Sequence, residues 1–112
     1  MRNEPDVLEV RRKIIETAKA IISGNLLFIE GARLIERLHW TAGLPDHDPD
    51  FIPFIGISCR TDALPLGDER KHWAPEALIR LQPDIDRAEE WAWEYGQGAC
   101  EKLINRFAGG TG

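Results

Sequence analysis

His39, His47 and His72 are the chain's three histidines, and enough carboxylates lie among them to raise metal binding or proton transfer as chemistries. The densest group is His47-Asp48-Pro49-Asp50. A divalent ion would need three or more such groups converging, with further partners holding the imidazoles. Chain neighbours such as His47 and Asp48 face one ion poorly, and the stretch lacks the oxygen ladder and closing Glu of a calcium loop. Turn-forming aspartates explain the same pattern, so neither a metal nor any other cofactor is expected.

Asp62, Asp68, Glu69, Arg70 and His72 form a second polar group. A hydrolase would use His72 as general base, oriented by Asp62 or Asp68. No nucleophile motif accompanies them, and Cys59 beside Arg60 is the one thiol that a cation could activate. The structural alternative has Asp62 capping the turns of Thr61–Gly67 and Arg70 pairing with a carboxylate to pin the segment down. Phosphate-cradling loops, Gly-x-Gly-x-x-Gly or Lys-Ser/Thr, are absent.

Both groups belong to a stretch between His39-Trp40 and His72-Trp73 that is rich in Pro, Asp and Gly yet holds the run Phe51-Ile52-Pro53-Phe54-Ile55-Gly56-Ile57. It is too long for an ordinary connection and too apolar for a linker, so it must fold onto something. No helical period is evident in it. Pro53 keeps it out of a central strand, and the expectation is an ordered irregular segment, or a short edge strand, attached through Phe51, Phe54, Ile55, Ile57, Leu64 and Trp73. This is the expected functional surface.

The scaffold beneath it reads as helical. Val7, Val10, Ile14, Ala18 and Ile21 recur at three- and four-residue steps, with Asp6 as cap. Ser23-Gly24-Asn25 supplies a stop and a restart. A second helix is expected over about residues 25 to 40, with Leu27, Phe28, Gly31, Leu34, Ile35 and Leu38 facing inward; a short connection would make the two an antiparallel hairpin. Gly31 in that stripe costs about 1 kcal/mol relative to Ala; close approach of the first helix, at Ala18, or a ligand touching the backbone would offset it. Arg11, also within an apolar stripe, either snorkels or meets a carboxylate such as Asp62 or Glu30. Pro75 opens a short helix that Pro83 interrupts, and a long C-terminal helix follows to about Phe107 on Ile85, Ala88, Ala92, Tyr95, Ala99 and Leu103, weakened at Gly96 and Gly98, which permit a bend. Trp91 and Trp93 lie about 200° apart on it, so one is covered by the middle segment or one is left as a binding anchor.

The fold class is therefore mainly α, a single helical domain over residues 1–108 with a disordered tail at 109–112. The net charge of −5 argues against a phosphate backbone as partner, and the one basic cluster, Arg11-Arg12-Lys13, has Glu9 and Glu16 beside it. Cys59 and Cys100 lie far apart, which suits a reduced compartment. There is no apolar signal core and no run near the ~20 residues of a membrane span, so a soluble cytoplasmic protein is expected.

Ile29-Glu30-Gly31-Ala32-Arg33, Asp48-Pro49-Asp50-Phe51 with Pro53-Phe54-Ile55-Gly56-Ile57, and Thr61-Asp62-x-Leu64-Pro65-x-Gly67 through Arg70 and Trp73 resemble a family of short bacterial proteins of unknown function. The likeness spans roughly residues 7 to 104. It implies a bacterial source and a small independently folding domain, and no activity.

The function expected is non-catalytic: a regulator or immunity-type inhibitor that binds another protein through Asp46, His47, Asp48, Asp50, Asp62, Arg70, His72 and Trp93. Acidic surfaces of this kind can cap cationic nuclease sites. The alternative is a small metal-dependent or His/Asp hydrolase built on the 39–72 segment. A homodimer through an exposed helix face is compatible with either.

Overall fold

The computed structural model describes residues 4–108, so the tail expected at 109–112 lies outside it. Five α-helices follow one another: α1 (Glu4–Ser23), α2 (Phe28–His39), α3 (Ile52–Arg60), α4 (Pro75–Tyr95) and α5 (Ala99–Ala108). Single 3-10 stretches at Pro49–Phe51 and Gly67–His72 precede α3 and α4, and no strand occurs among the described residues. The chain is mainly helical, and none of the described helices is long and apolar enough to cross a membrane.

α2 is the hub. It packs on α1, α3 and α4, while α1 also packs on α5. Contact on several sides widens its buried arc to Phe28, Ile29, Gly31, Ala32, Ile35 and His39. Leu27 and Leu34, expected inside, are exposed. From α1 the core takes Ile14, Ala18 and Ile21, from α3 Phe54 and Ile57, and from α5 Leu103. α1 begins at Glu4, which puts Asp6 inside its first turn rather than at its cap. It ends at Gly24, whose φ of +83° is the left-handed conformation expected of a glycine there. A Cβ on Gly31 would collide with the Ile21 side chain, so the close approach of α1 falls at Ile21 and not at Ala18.

The middle of the chain corrects the reading of an irregular or extended segment. Phe51 closes a 3-10 turn and Ile52–Arg60 is helical. Pro49 and Pro53 stand in first turns, where a missing N–H costs no helical hydrogen bond and a fixed φ is an advantage. The Asp48 side chain starts the turn by accepting the Asp50 N–H at 3.1 Å. Phe51, Phe54, Ile57, Ser58 and Thr61 are all buried, at helical spacing. That period was masked because Ile52, Ile55 and Gly56 make the other face apolar too. Trp73, expected to help attach the segment, is left exposed.

The C-terminal half is corrected as well. α4 runs straight through Pro83, and the interruption comes instead at Gly96–Gly98. Residues near Pro83 are mostly exposed, so water can take the carbonyl that loses its partner. At the break the Gly96 N–H reaches the Ala92 carbonyl at 2.8 Å, and Gly98 has φ +83°. A Cβ on Gly96 would stand 2.6 Å from Phe28 Cζ, so only glycine lets the turn lie this close to the core.

Candidate functional site

Most of the predicted polar residues do not meet. Asp46 and His47 are exposed in the turn before α3, Asp62 is exposed ahead of the second 3-10 stretch, and His72 is exposed at its end. His39 is buried between Trp40 and Phe51, whose ring centroids lie 4.6 and 4.7 Å away. Its Nε2 is 2.9 Å from the Pro45 carbonyl, which can only accept, so Nε2 carries the proton and closes the turn after α2. Among the described residues no three His, Cys, Asp or Glu side chains are grouped to hold a metal ion.

Asp48 and Asp50 do come together, on Arg106 of α5. Both oxygens of the buried Asp48 carboxylate are 2.8 Å from the guanidinium, and Asp50 Oδ2 is 2.9 Å from Nη1. Hydrogen bonding to Arg106 holds the Asp48 carboxyl below its ordinary range, helped by the Asp50 N–H. These acids anchor the 3-10 turn to α5.

The remaining straps also differ from expectation. Arg33, not Arg70, pins the 61–69 segment: its guanidinium donates to the Thr61 and Leu64 carbonyls and to Glu69. Arg70 makes no ion pair among the described residues, and Asp62 caps no turn there. Arg11 meets no carboxylate among the described residues. Its Nε donates to the Ala42 carbonyl at 3.1 Å, and its guanidinium lies 5.7 Å from the Phe107 ring centre.

Trp93, also predicted, lies at the surface of α4. It stays 40 % exposed, yet it is held in place. Its indole N–H donates to Glu89 Oε2 at 2.9 Å, and its ring meets Phe28 edge-on at 5.2 Å. The same Glu89 accepts the backbone N–H groups of Phe28 (2.7 Å) and Ile29 (3.1 Å), capping α2 from another helix where Leu27 offers no side-chain cap. Trp91 turns the other way, stacks on Tyr95 at 5.2 Å and has Arg60 over its ring.

Trp93 forms one wall of a cleft of about 390 Å³ at the α4–α5 turn. Ile22 and Phe28 supply further apolar surface, Gly96-Gln97-Gly98 crosses it, and Glu94 and Glu101 stand at its edge. None of the lining residues is cationic. Neither glutamate has an ion pair among the described residues. Burial, with Glu101 adding to it, pushes the Cys100 thiol up to about 12, so the sulfur at this cleft stays protonated and is a poor nucleophile. The cleft therefore offers an apolar wall, two free carboxylates and a neutral thiol, with no imidazole to move a proton.

Sequence reasoning named Trp93 as a contact residue and named none of Glu89, Glu94 and Glu101. Glu89 carries one local signal, its place four residues before a tryptophan on one helix, a spacing that brings carboxylate and indole together. Glu36 repeats it with Trp40 at 2.6 Å. No protein-family model, no curated protein and no solved structure matches this chain.

Proposed function

We propose that this chain is a non-catalytic binding protein, a regulator or inhibitor whose contact face is the cleft at the α4–α5 turn. The observation that carries this reading is Trp93: a large side chain left half in water but fixed by Glu89 and Phe28 loses little freedom on binding, which is what makes tryptophan an effective anchor. Glu94 and Glu101 beside it, without cations of their own, suit a partner that brings Lys or Arg around an apolar group. The overall charge of −5 would steer such a partner in.

The contact face first expected, Asp46 to Asp50, supports this role less well. Asp48 and Asp50 already share Arg106, and a partner's cation would have to displace it.

The test is capture at low salt from the cell that makes the protein, run beside a Glu94→Lys/Glu101→Lys variant whose changes are both at exposed positions. The reading expects a stoichiometric basic partner that the variant loses and that salt weakens. A partner held equally well by the variant, or none at all, rejects it.

A further inference from the structure

A concavity larger than the Trp93 cleft lies toward the N-terminal half of α1, at Leu8 to Ile15, whereas the Trp93 cleft meets α1 at Ile22. It measures about 490 Å³ and runs between α1 and α5, under the turn after α2. Leu8, Ile15, Leu44 and Phe107 line it with hydrocarbon, and Arg11, Arg12 and Arg106 add cations. The three arginines are not equivalent. Arg12 sits between Glu9 and Glu16, and Arg106 is shared by Asp48 and Asp50, so each faces two carboxylates and offers no uncompensated positive charge.

Arg11 is different. It has no ion pair among the described residues, and one helical turn away on either side stand Val7, Leu8, Ile14 and Ile15, so α1 itself offers it no carboxylate. Its one hydrogen bond, Nε to the Ala42 carbonyl, fixes the guanidinium plane and leaves the Nη edge unused. Phe107 has guanidinium groups within 6 Å on both counts, Arg11 at 5.7 Å and Arg106 at 5.1 Å. A fixed guanidinium at an apolar cleft is a receptor for a planar anion with a hydrocarbon tail.

We propose that this cleft binds an amphiphilic carboxylate, an acyl acid whose carboxylate lies on the Nη edge of Arg11 and whose chain lies along Leu8, Ile15, Leu44 and Phe107. The volume is in the range of small-ligand sites, about 300 to 1,000 Å³, which favours a small acid over a protein segment. The uncompensated cation selects an anion, and the hydrocarbon walls select a tail. This site is separate from the proposed contact face and stands or falls without it.

The full chain is titrated with decanoate, acetate and decanol, each below the concentration at which it self-associates, and followed by amide and methyl chemical shifts. Decanoate is expected to move signals of Leu8, Arg11, Ile15, Leu44 and Phe107, acetate to leave them in place, and decanol to bind at least tenfold more weakly. Arg11→Gln is expected to weaken decanoate at least tenfold. Because Arg11 also ties α1 to Ala42, Leu8→Glu is the second variant: Leu8 is 64 % exposed, so its replacement spares the core while setting a negative charge at the cleft, and it too should cost tenfold or more. Decanoate that leaves these signals unmoved overturns the proposal. So does decanol binding as tightly as decanoate, or decanoate binding that neither variant weakens.

Discussion

Arg106 grips Asp48 with both ends of its guanidinium, Nη1 on Oδ1 and Nη2 on Oδ2, each at 2.8 Å, while Nη1 also serves Asp50. The pair joins the start of α3 to α5 across 58 residues of chain. It also makes stability depend on pH. The Asp48 carboxyl titrates below its ordinary value in the folded chain, so its contribution is complete above the unfolded value and is lost as pH falls through the folded one.

Asp48→Asn keeps an oxygen that can cap the turn but loses the charged pair, and should accordingly cost about 2 kcal/mol near neutral pH, the scale of a hydrogen bond to a charged group. The gap between wild type and variant should begin to narrow as pH falls below about 4, the ordinary aspartate value, and should close only below the lower folded value, where the wild-type carboxylate is itself protonated. Urea unfolding as a function of pH measures both. A gap unchanged at pH 2 would remove the ion pair from the account.

Gly96→Ala should destabilise the chain by about 1 to 3 kcal/mol, the usual range for overpacking, because the new methyl falls on Phe28. Gly98→Ala meets no atom within 4 Å and pays only for a left-handed backbone, about 1 kcal/mol. Thermal unfolding of the two single variants should rank them in that order.

Glu89→Ala removes the acceptor of three N–H groups, those of Phe28, Ile29 and Trp93. A loss of about 2 to 3 kcal/mol is expected. The more specific readout is the Trp93 indole proton, which should exchange with solvent faster than in the wild type while the buried core amides of α2 keep their order of protection.

Arg33→Lys keeps the charge but not the fork that reaches the Thr61 and Leu64 carbonyls together with Glu69. Hydrogen exchange should rise locally over residues 61 to 72 and little elsewhere. A global rise would make Arg33 part of the common core rather than a local strap.

Much of the helical scaffold is legible from residue spacing. Ile14, Ala18 and Ile21 recur at three and four residues and are fully buried, and Gly24 ends their helix where its left-handed conformation is needed. Pattern fails where both faces of a helix are apolar, as at Phe51–Ile57, since the period that separates helix from strand then vanishes. It also fails at Pro83, where local preference predicts a break that an exposed helix tolerates. The candidate site is legible only in Trp93. Glu89 acts on Phe28 across 61 residues, and Glu94 and Glu101 face one cleft only because Gly96 and Gly98 fold the chain back; no local pattern records such meetings.

The measurement closest to the central claim is the affinity of the captured partner for wild type, Trp93→Ala and Glu94→Lys/Glu101→Lys, with the Trp93 indole signal followed in the complex. The account predicts that the indole signal moves on binding and that each variant weakens the complex at least tenfold, about 1.4 kcal/mol or more. A complex of unchanged affinity in all three proteins, with the indole signal where it was, would contradict it.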